Sequence, residues 1–419
     1  MSAQAPQPQQ SEDSYWADVI DPGDRASAYA KEMCFRSHRN SDLIHVVPHQ
    51  PGDFRGPVGW VWSKDILQRM LDTDVDEHGR VTRWTTLEEK EDDGAGGKPQ
   101  FFTFLGEEPV FYGLGWEPIC MVADDFSRTG RRPVVFDNEI NAKRVTEKNF
   151  HLFKAVIDGY SDALAKTGLV NITGEVAIMK HCITAFCDAS DDSQLILTWG
   201  ASCVGLCDKD KLLSPTNITD DMAVVALPEE GYRCNGGTFF TNIILSKWGA
   251  DARKLFDNTE ARAFVRKLTV PSVCYTPFML ELTGWKSVHW GESGQPEIIA
   301  GAHITGGGIM KKFCEMLPAG VGAELGTMPE PPEVLKEAQD YSQGTPYRLS
   351  DWEAHRTLHG GCGMLLVTTK RSVPAILERS KHWGIRAVEV GSTTKSPKSE
   401  VLINSRFLKG GTISSLCPE

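Results

Sequence analysis

The sequence predicts a protein of two domains that both mix helices and strands, an α/β or α+β fold. The chain has 419 residues, which is too long for one ordinary domain and suits two. Segments with strand and helix character alternate along it. A polar stretch at 214–222 (SPTNITDDM) separates two apolar halves. We therefore predict domains at 14–217 and 218–419, preceded by a tail at 1–13.

The composition predicts a soluble, cytoplasmic protein. Hydrophobic residues make up 41% and charged residues 24% of the chain, as in globular proteins, and no apolar run approaches transmembrane length. The tail MSAQAPQPQQSED lacks the basic and apolar regions of a secretory signal. Its Gln, Pro and Ser residues cannot bury apolar area, so we expect it to be disordered.

The net charge indicates which classes of partner are disfavoured, and the cysteine content indicates the compartment. The net charge of −12 disfavours binding to nucleic acid or to an anionic membrane. The 11 cysteines are scattered, which is typical of a reducing compartment. His181, Cys182, Cys187, Cys203 and Cys207 do not have the spacing of a zinc site. Because buried free cysteine is common, we favour core positions for them.

In the first half, one helix is especially clear, at 144–166. Its apolar residues recur on one face, and Gly168 follows as a stop signal. The other expected elements of this half are a turn and helix over 14–38, a Gly/Pro loop over 51–60, a helix over 61–72, a strand within 78–90, a strand over 133–138, and strands in LVNITGEVAIM and QLILTWGASCVGLCDKDKLL.

The second half starts with the apolar segment AVVALP and has its own set of strand and helix patterns. We predict strands over 222–228, 299–304, 364–369 and 386–390, and helices over 238–248, 259–267, 308–316 and 373–383.

The stretch most suggestive of chemistry is DGAGGK at 93–98. Glycines let backbone N–H groups approach an anion, and a lysine adds a charge suited to phosphate. Asp93 and the pair Asp124-Asp125 supply hard oxygen ligands of the kind Mg²⁺ prefers. These residues suggest a site for a metal and a nucleotide triphosphate, although the pattern alone fits a polar surface loop better.

Three further glycine segments occur in the second half: GYRCNGGT at 231–238, HITGGG at 303–308 and RTLHGGCGM at 356–364. A glycine turn that leads into a helix presents free N–H groups to an anion. Tight packing or turn geometry explains each segment at least as well. Four such segments in one chain nevertheless favour phosphate binding by some of them.

In their order, these segments resemble the phosphoribosylformylglycinamidine cyclo-ligase family, also called aminoimidazole ribonucleotide (AIR) synthetases. The resemblance extends over about residues 80–405, and its most specific parts are AHITGGG and RTxxxGxGM. The segments that carry it are DGAGGK at 93–98, MVADD at 121–125, TGEVAIM at 173–179, GASCVGLCDKDKLL at 200–213, CNGGT at 234–238, GAHITGGG at 301–308 and EAHRTLHGGCGM at 353–364.

The resemblance implies a two-domain AIR synthase-like fold. Its N-terminal α/β domain has a mostly antiparallel sheet that closes with a partner's sheet into a dimeric barrel. Its C-terminal domain is an α+β sandwich. A homodimer is therefore expected, and barrel closure would also remove exposed strand edges.

The resemblance also implies a reaction in purine biosynthesis. ATP activates the formyl oxygen of formylglycinamidine ribonucleotide, and an amidine nitrogen closes the imidazole ring. The implied roles are Mg²⁺ binding by Asp93, Asp125 and Glu175, ATP phosphate binding by Gly94, Ala95, Gly96, Gly97 and Lys98, contacts to ATP or substrate phosphate by Asn235, Thr305, Gly306, Gly307 and Gly308, and catalysis by Lys98, Asp93, His303 and Arg356.

The sequence departs from the family's pattern at Gly97, Val176, Ile178, Tyr232 and Arg233. These departures leave two alternatives open. The chain is either another ATP-using enzyme of the superfamily that acts on a different small molecule, or an inactive member with a structural or binding role. Whether Asp124 or Asp125 faces the metal also stays open at this point.

Overall fold

The computed structural model describes residues 15–49, 57–285 and 295–417. The expected tail at 1–13 and most of the Gly/Pro loop at 51–60 lie outside these ranges. Within them, the expectation of helices and strands in both halves is confirmed. None of the helices described is long and apolar enough to cross a bilayer.

The first half contains a four-stranded sheet with helices packed against it. Its helices are α1 (Tyr15–Ser37), α2 (Lys64–Leu71), α3 (Pro99–Leu105), α4 (Glu108–Leu114), α5 (Glu117–Ser127) and α6 (Phe150–Thr167). Its strands are β1 (Ile44–Val47), β2 (Gly59–Trp62), β3 (Asp74–Val75), β4 (Val81–Arg83), β5 (Thr86–Gly94), β6 (Arg132–Ala142), β7 (Val170–Ile178) and β8 (Leu197–Asp208).

The main sheet of this half has the strand order β5-β8-β6-β7. Only β6 and β7 are parallel, so the sheet is mostly antiparallel, as expected. Asp93 of β5 lies opposite Ala201 of β8, and Asp92 lies opposite Ser202. Successive side chains of a strand point to opposite faces, which places Asp92 and Asp93 on different faces of the sheet.

The second half contains a seven-stranded sheet of order β10-β12-β9-β13-β11-β14-β15. Its strands are β9 (Ala223–Pro228), β10 (Ile298–His303), β11 (Val321–Leu325), β12 (Cys362–Thr368), β13 (Val388–Lys395), β14 (Glu400–Ser405) and β15 (Gly411–Leu416). Its helices are α7 (Gly237–Trp248), α8 (Ala252–Asp257), α9 (Thr259–Leu268), α10 (Thr276–Leu282), α11 (Gly308–Lys312), α12 (Glu333–Ser342), α13 (Asp351–Thr357) and α14 (Val373–His382).

Helices from both halves share one hydrophobic cluster. Phe101 and Phe104 of α3 pack with Phe240 of α7 and Phe264 of α9 in a single buried group. The two sheets themselves divide the chain between Asp208 and Ala223. The boundary after residue 217 falls in this interval and stays a prediction.

Several local expectations differ from the structure. The Asp-Pro-Gly turn near residue 22 is absent, because α1 continues through Pro22. The segment at 121–125, for which no element was predicted, is helical and lies in α5. Strands β11, β14 and β15 were not predicted, since their short mixed sequences VGAEL, EVLINS and GTISSL carry no strong apolar pattern. The helix predicted at 144–166 is confirmed as α6, although it begins only at Phe150; Gly168, with a left-handed backbone, caps its C-terminus.

Candidate functional site

The first two glycine segments lie against each other. A Cβ on Gly96 would lie 2.8 Å from the carbonyl oxygen of Cys234, and one on Gly97 would lie 3.4 Å from the Cα of Gly237. Gly96 also has a positive φ of 53°, which favours glycine. Close backbone packing and the positive φ therefore account for glycine at position 96, whereas the approach of Gly97 to Gly237 is an ordinary van der Waals contact.

The third and fourth segments join the same group. A Cβ on Gly306 would lie 3.3 Å from Asn235 Oδ1. A Cβ on Gly308 would lie 2.1 Å from the carbonyl oxygen of His355 and 3.0 Å from the carbonyl carbon of Arg356. All four glycine segments identified in the sequence thus converge in one region between the two sheets. We call the exposed surface beside these segments, which includes Asp93, Gly96 and Gly306, the cleft.

Carboxylates form one wall of this region. Asp93 and Glu91 alternate on the same face of β5, and α5, which carries Asp125, packs against that strand. Burial raises the pKa of Asp93, and the charge of Asp125 raises it further. Burial and the charge of Asp125 also raise the pKa of Glu91. The negative charge of Asp125 is therefore close enough to repel those of Asp93 and Glu91.

Asp125 is oriented by two donors. His303 Nδ1 lies 2.9 Å from Asp125 Oδ1, and Arg128 Nε donates to the same oxygen at 3.1 Å. Burial opposes ionisation of this carboxyl group. The hydrogen bond and charge of His303, together with Arg128, nevertheless lower the pKa of Asp125 to about 2. Asp125 is therefore ionised at neutral pH.

The neighbouring Asp124 has a different role. Its side chain is fully buried and pairs with Arg233. It also accepts hydrogen bonds from the backbone N–H of Thr276 at 2.7 Å and of Tyr275 at 3.2 Å, where α10 begins. The structure thus assigns Asp125 to the cleft and Asp124 to the interior, which the sequence left open.

Lys98 does not face the cleft, contrary to its expected role in phosphate binding. Its side chain is fully buried and forms an ion pair of 2.7 Å with Glu117 in the first turn of α5. The ammonium also donates to the carbonyl oxygen of Val270 at 2.9 Å and to Ser272 Oγ at 3.3 Å. Because all of these partners lie in the interior, we assign Lys98 to the core and remove it from the set of phosphate ligands.

Glu175 is also separated from the other expected metal ligands. It lies on β7, three positions from β5 in the sheet, so roughly 14 Å separates the two backbones at the usual strand spacing. On the face of the sheet opposite to Asp93, Glu175 lies with Asp92, Asp137 and Glu139, and these residues line an open cavity of about 440 Å³. A metal held by Asp93 and Asp125 cannot be held by Glu175 in this arrangement.

The remaining expected residues stay close to the converged segments. Gly306 is exposed, Asn235 and Gly307 are half-buried, and Thr305 is at the limit of burial with 9% exposure. The guanidinium of Arg356 lies 5.5 Å from the Trp352 ring and has no hydrogen bond or ion pair among the described residues. Arg356 is therefore an available cation at the edge of the cleft.

Mg²⁺ fits part of the expected ligand set. Asp93 and Asp125 offer two carboxylates whose mutual repulsion a cation would relieve. No group of three or more His, Cys, Asp or Glu side chains within the described ranges has the geometry of a metal centre. Mg²⁺ is commonly held by one or two carboxylates together with water and substrate phosphates, and two carboxylates suit that mode.

Sequence reasoning missed four charged residues near the site: Glu91, Arg128, Lys312 and Arg233. Arg128 follows Asp125 by three residues, a spacing that would have suggested a contact had α5 been recognised as a helix. Lys312 acts on Asp93 by lowering its pKa, which opposes the larger effect of burial. Arg233 was noted only as a departure from a family pattern, and its contacts required the three-dimensional structure.

Comparison with known families supports the resemblance. Residues 287–404 match the family model described as AIR synthase related protein, C-terminal domain. The phosphoribosylformylglycinamidine cyclo-ligase of Staphylococcus aureus (strain MRSA252) is 24% identical over 310 residues, which cover 74% of this chain and 81% of that protein. The enzyme of the same name from Bacillus velezensis is 23% identical over 280 residues, covering 66% and 72%.

Solved structures show the same fold. The hydrogenase maturation protein HypE of E. coli matches with a TM-score of 0.52 and 14% identity, over 94% of this chain and 97% of that one. Thiamine-monophosphate kinase from Stenotrophomonas maltophilia K279a matches with a TM-score of 0.51 and 13% identity, over 89% and 93%. The predicted AIR synthase-like fold is confirmed. The dimeric barrel stays a prediction.

Proposed function

We propose that this chain, a divergent relative of the phosphoribosylformylglycinamidine cyclo-ligases within the AIR synthase superfamily, is an ATP-dependent cyclo-ligase. Its substrate would be formylglycinamidine ribonucleotide and its products aminoimidazole ribonucleotide, ADP and phosphate. A phosphoryl group moves from ATP to the formyl oxygen, an amidine nitrogen attacks that carbon, and phosphate leaves as the ring closes. The reaction needs positioning and charge neutralisation more than covalent help from the protein.

The observation that carries this proposal is the convergence of two carboxylates and four glycine segments. Asp93 is continuous with the first glycine segment, and Asp125 is bonded to His303 at the start of the third. The glycine segments contact one another through backbone atoms. Residues that are far apart along the sequence thus meet at one surface, which supports the proposal.

We assign Mg²⁺ binding to Asp93 and Asp125, where the ion would neutralise charge on the triphosphate. We assign contacts to ATP or to the substrate phosphate to Thr305, Gly306 and Gly307, and Asn235 lies beside Gly306. The N-terminus of α7 follows Asn235, and its Ncap is Gly236, which offers no side-chain cap. Its free backbone N–H groups suit an anion. Arg356 is the available cation for a substrate phosphate.

A second candidate is an ATP-using enzyme of the same superfamily that acts on another small molecule. One specific observation favours it. Tyr232 and Arg233 stand where the family has Pro-His, and both are 1% exposed in this chain. Neither side chain is exposed enough to touch a substrate, so this position differs from the family's pattern without offering a new substrate contact.

The test is phosphate release from ATP by the purified protein. We expect release to depend on formylglycinamidine ribonucleotide and an imidazole product to appear by mass spectrometry. Release that is stimulated by a different small molecule would support the second candidate. A rate unaffected by any such substrate, together with no detectable ATP binding, would support the inactive class of relative.

We also propose a homodimer located in the cytoplasm. The strands β5 and β7 are the edges of the four-stranded sheet, and its face around Glu139 and Glu175 is exposed in the single chain. Exposed sheet edges are commonly covered by pairing. Light scattering coupled to gel filtration should give twice the monomer mass. A monomer mass at micromolar concentration would contradict the dimer without affecting the reaction.

A further inference from the structure

The side chain of Arg233 donates five hydrogen bonds in the interior of the site. Its guanidinium is fully buried between the two halves of the molecule. It donates to Glu229 Oε2 at 2.7 Å, to the carbonyl oxygen of Val273 at 2.7 Å, to the carbonyl oxygen of Cys120 at 3.4 Å, to Asp124 Oδ2, and to His303 Nε2 at 2.9 Å.

The contact with His303 determines where the imidazole carries its proton. The Nε of an arginine can only donate, because guanidinium has no free lone pair. His303 Nε2 must therefore accept, and a neutral ring then carries its proton on Nδ1. That proton lies between Nδ1 and Asp125 Oδ1, which are 2.9 Å apart.

This arrangement leaves one oxygen of Asp125 available. Oδ1 receives hydrogen bonds from both His303 and Arg128, whereas Oδ2 has no hydrogen bond among the described residues. We propose that Arg233 is a positioning residue that fixes the Nδ1–H form of His303 and thereby holds Asp125 with Oδ2 directed to a divalent cation. The cation part of this proposal rests on the proposed function, and the tautomer part does not.

The same geometry changes the role expected of His303. Both ring nitrogens are engaged, one with Arg233 and one with Asp125, and the side chain is fully buried. It has no lone pair for a substrate proton. His303 is thus a support for Asp125, similar to the outer partners that orient metal ligands in other proteins.

Two buried carboxylates make arginine suitable at this position. Burial alone would weaken the charged form, but Glu229 and Asp124 hold the pKa of the Arg233 guanidinium well above its usual range. The planar fork reaches both carboxylates and leaves Nε for His303. A lysine has one nitrogen and cannot span these three partners together.

His359 provides an internal reference for the tautomer. Its Nε2 lies 2.8 Å from the carbonyl oxygen of Gly231, which can only accept, and its Nδ1 accepts from the backbone N–H of Gly361 at 3.2 Å. His359 therefore carries its proton on Nε2, opposite to His303. The two residues should show inverted patterns of imidazole nitrogen signals in one spectrum.

The first experiment is nitrogen NMR of the full chain labelled at histidine, without nucleotide or metal. We expect a proton on Nδ1 of His303 in the wild type, and a mixture of both forms in Arg233→Lys. Unchanged His359 signals and a cooperative thermal transition would show that the variant is folded. Wild-type signals of His303 in a folded Arg233→Lys variant would overturn the proposal, because Asp125 or the lysine ammonium, which also can only donate, would then fix the tautomer without arginine.

The second experiment measures Mn²⁺ binding by electron paramagnetic resonance, with Mn²⁺ as an oxygen-ligated substitute for Mg²⁺. The amide nitrogen of His303→Asn occupies the position of Nδ1 and keeps the donor to Asp125, whereas His303→Gln reaches Arg233 instead. We expect Asn to retain Mn²⁺ affinity and Gln to lose on the order of tenfold. Equal losses in both variants would contradict the proposal.

A double-variant cycle tests whether Arg233 acts on Mn²⁺ binding through His303. Arg233→Lys should weaken Mn²⁺ binding in the wild type, but it should add little in the His303→Asn background, where no tautomer remains to be selected. Additive losses would overturn a role through His303. Absence of Mn²⁺ binding in the wild type would refute the cation part and the proposed metal site together, while the NMR result would still decide the tautomer.

Discussion

The ammonium of Lys98 lies 2.7 Å from the carboxylate of Glu117, and neither side chain has any exposed surface. A lysine that follows a glycine loop in the sequence is thus a structural cation that joins the start of α3 to the first turn of α5. Its partners include the carbonyl oxygen of Val270, so the pair also ties the first half to the second.

Removal of one member of this pair should be costly. We expect Lys98→Met to destabilise the protein by about 3–5 kcal/mol, because the Glu117 carboxylate would be left buried without its cation. Urea unfolding measures the change. The double variant Lys98→Met/Glu117→Gln should recover a large part of the loss, and a folded single variant of wild-type stability would contradict the buried pair.

Asp93 and Asp92 offer a matched comparison, since they are adjacent in β5 and face opposite sides of the sheet. We expect Asp93→Asn to reduce Mg²⁺-dependent ATP turnover by on the order of 10²-fold or more, with the fold intact. Asp92→Asn should leave turnover near that of the wild type. Equal losses in both variants would show that the strand's integrity, and not the cleft carboxylate, is what matters.

Two buried histidines should make the fold sensitive to acid. Burial lowers the pKa of His355 to about 4, and burial likewise lowers the pKa of His359 to about 4. Because the unfolded chain binds these protons at about pH 6.5, stability is complete above that pH and is lost as pH falls towards 4. Each histidine accounts for about 3 kcal/mol of this loss.

The variant His355→Leu tests this expectation. Neither ring nitrogen of His355 has a hydrogen-bond partner, so leucine leaves no buried donor or acceptor without a partner. Chemical denaturation between pH 7 and pH 4.5 should show a shallower loss of stability in the variant than in the wild type. Parallel curves for the two proteins would mean that His355 does not contribute.

The glycines at the cleft should differ sharply from glycines elsewhere. Gly308 and Gly320 both have positive φ, at 59° and 83°. A Cβ would meet the His355 carbonyl oxygen at 2.1 Å in the first case and nothing within 4 Å in the second. We expect Gly320→Ala to cost about 1 kcal/mol from backbone strain and Gly308→Ala to cost at least about 3 kcal/mol.

Thermal unfolding of the two glycine variants gives the comparison. Similar losses would indicate that the backbone conformation alone requires glycine at position 308. A larger loss for Gly308→Ala would confirm that close approach of α13 to the third glycine segment is a separate constraint.

The sequence was informative about this site where motifs kept their order. Asp93, Asp125 and the glycine segments were placed together by resemblance, and their neighbourhood agrees with the structure. Lys98 was misassigned because its partner Glu117 lies in a helix that the pattern of residues 117–127 did not reveal. Glu175 was misassigned because strand order cannot be read from sequence, and β7 occupies the far edge of the sheet.

The role of Arg233 illustrates a second limit. As a residue type in a glycine turn, an arginine suggests a surface cation that meets phosphate. Its actual environment of Asp124, Glu229 and His303 comes from three separate elements that meet only in the folded molecule. Polar interiors of this kind leave no periodic signal in the chain.

The meeting of four glycine turns also bears on how the molecule matures. Two of the turns lie far along the chain, at 303–308 and 356–364, whereas the first lies at 93–98. The four turns pack against one another. Contacts so distant in sequence form late during folding. A nascent chain that stops before α13 therefore lacks the fourth turn, and such truncated products should be inert and not partially active.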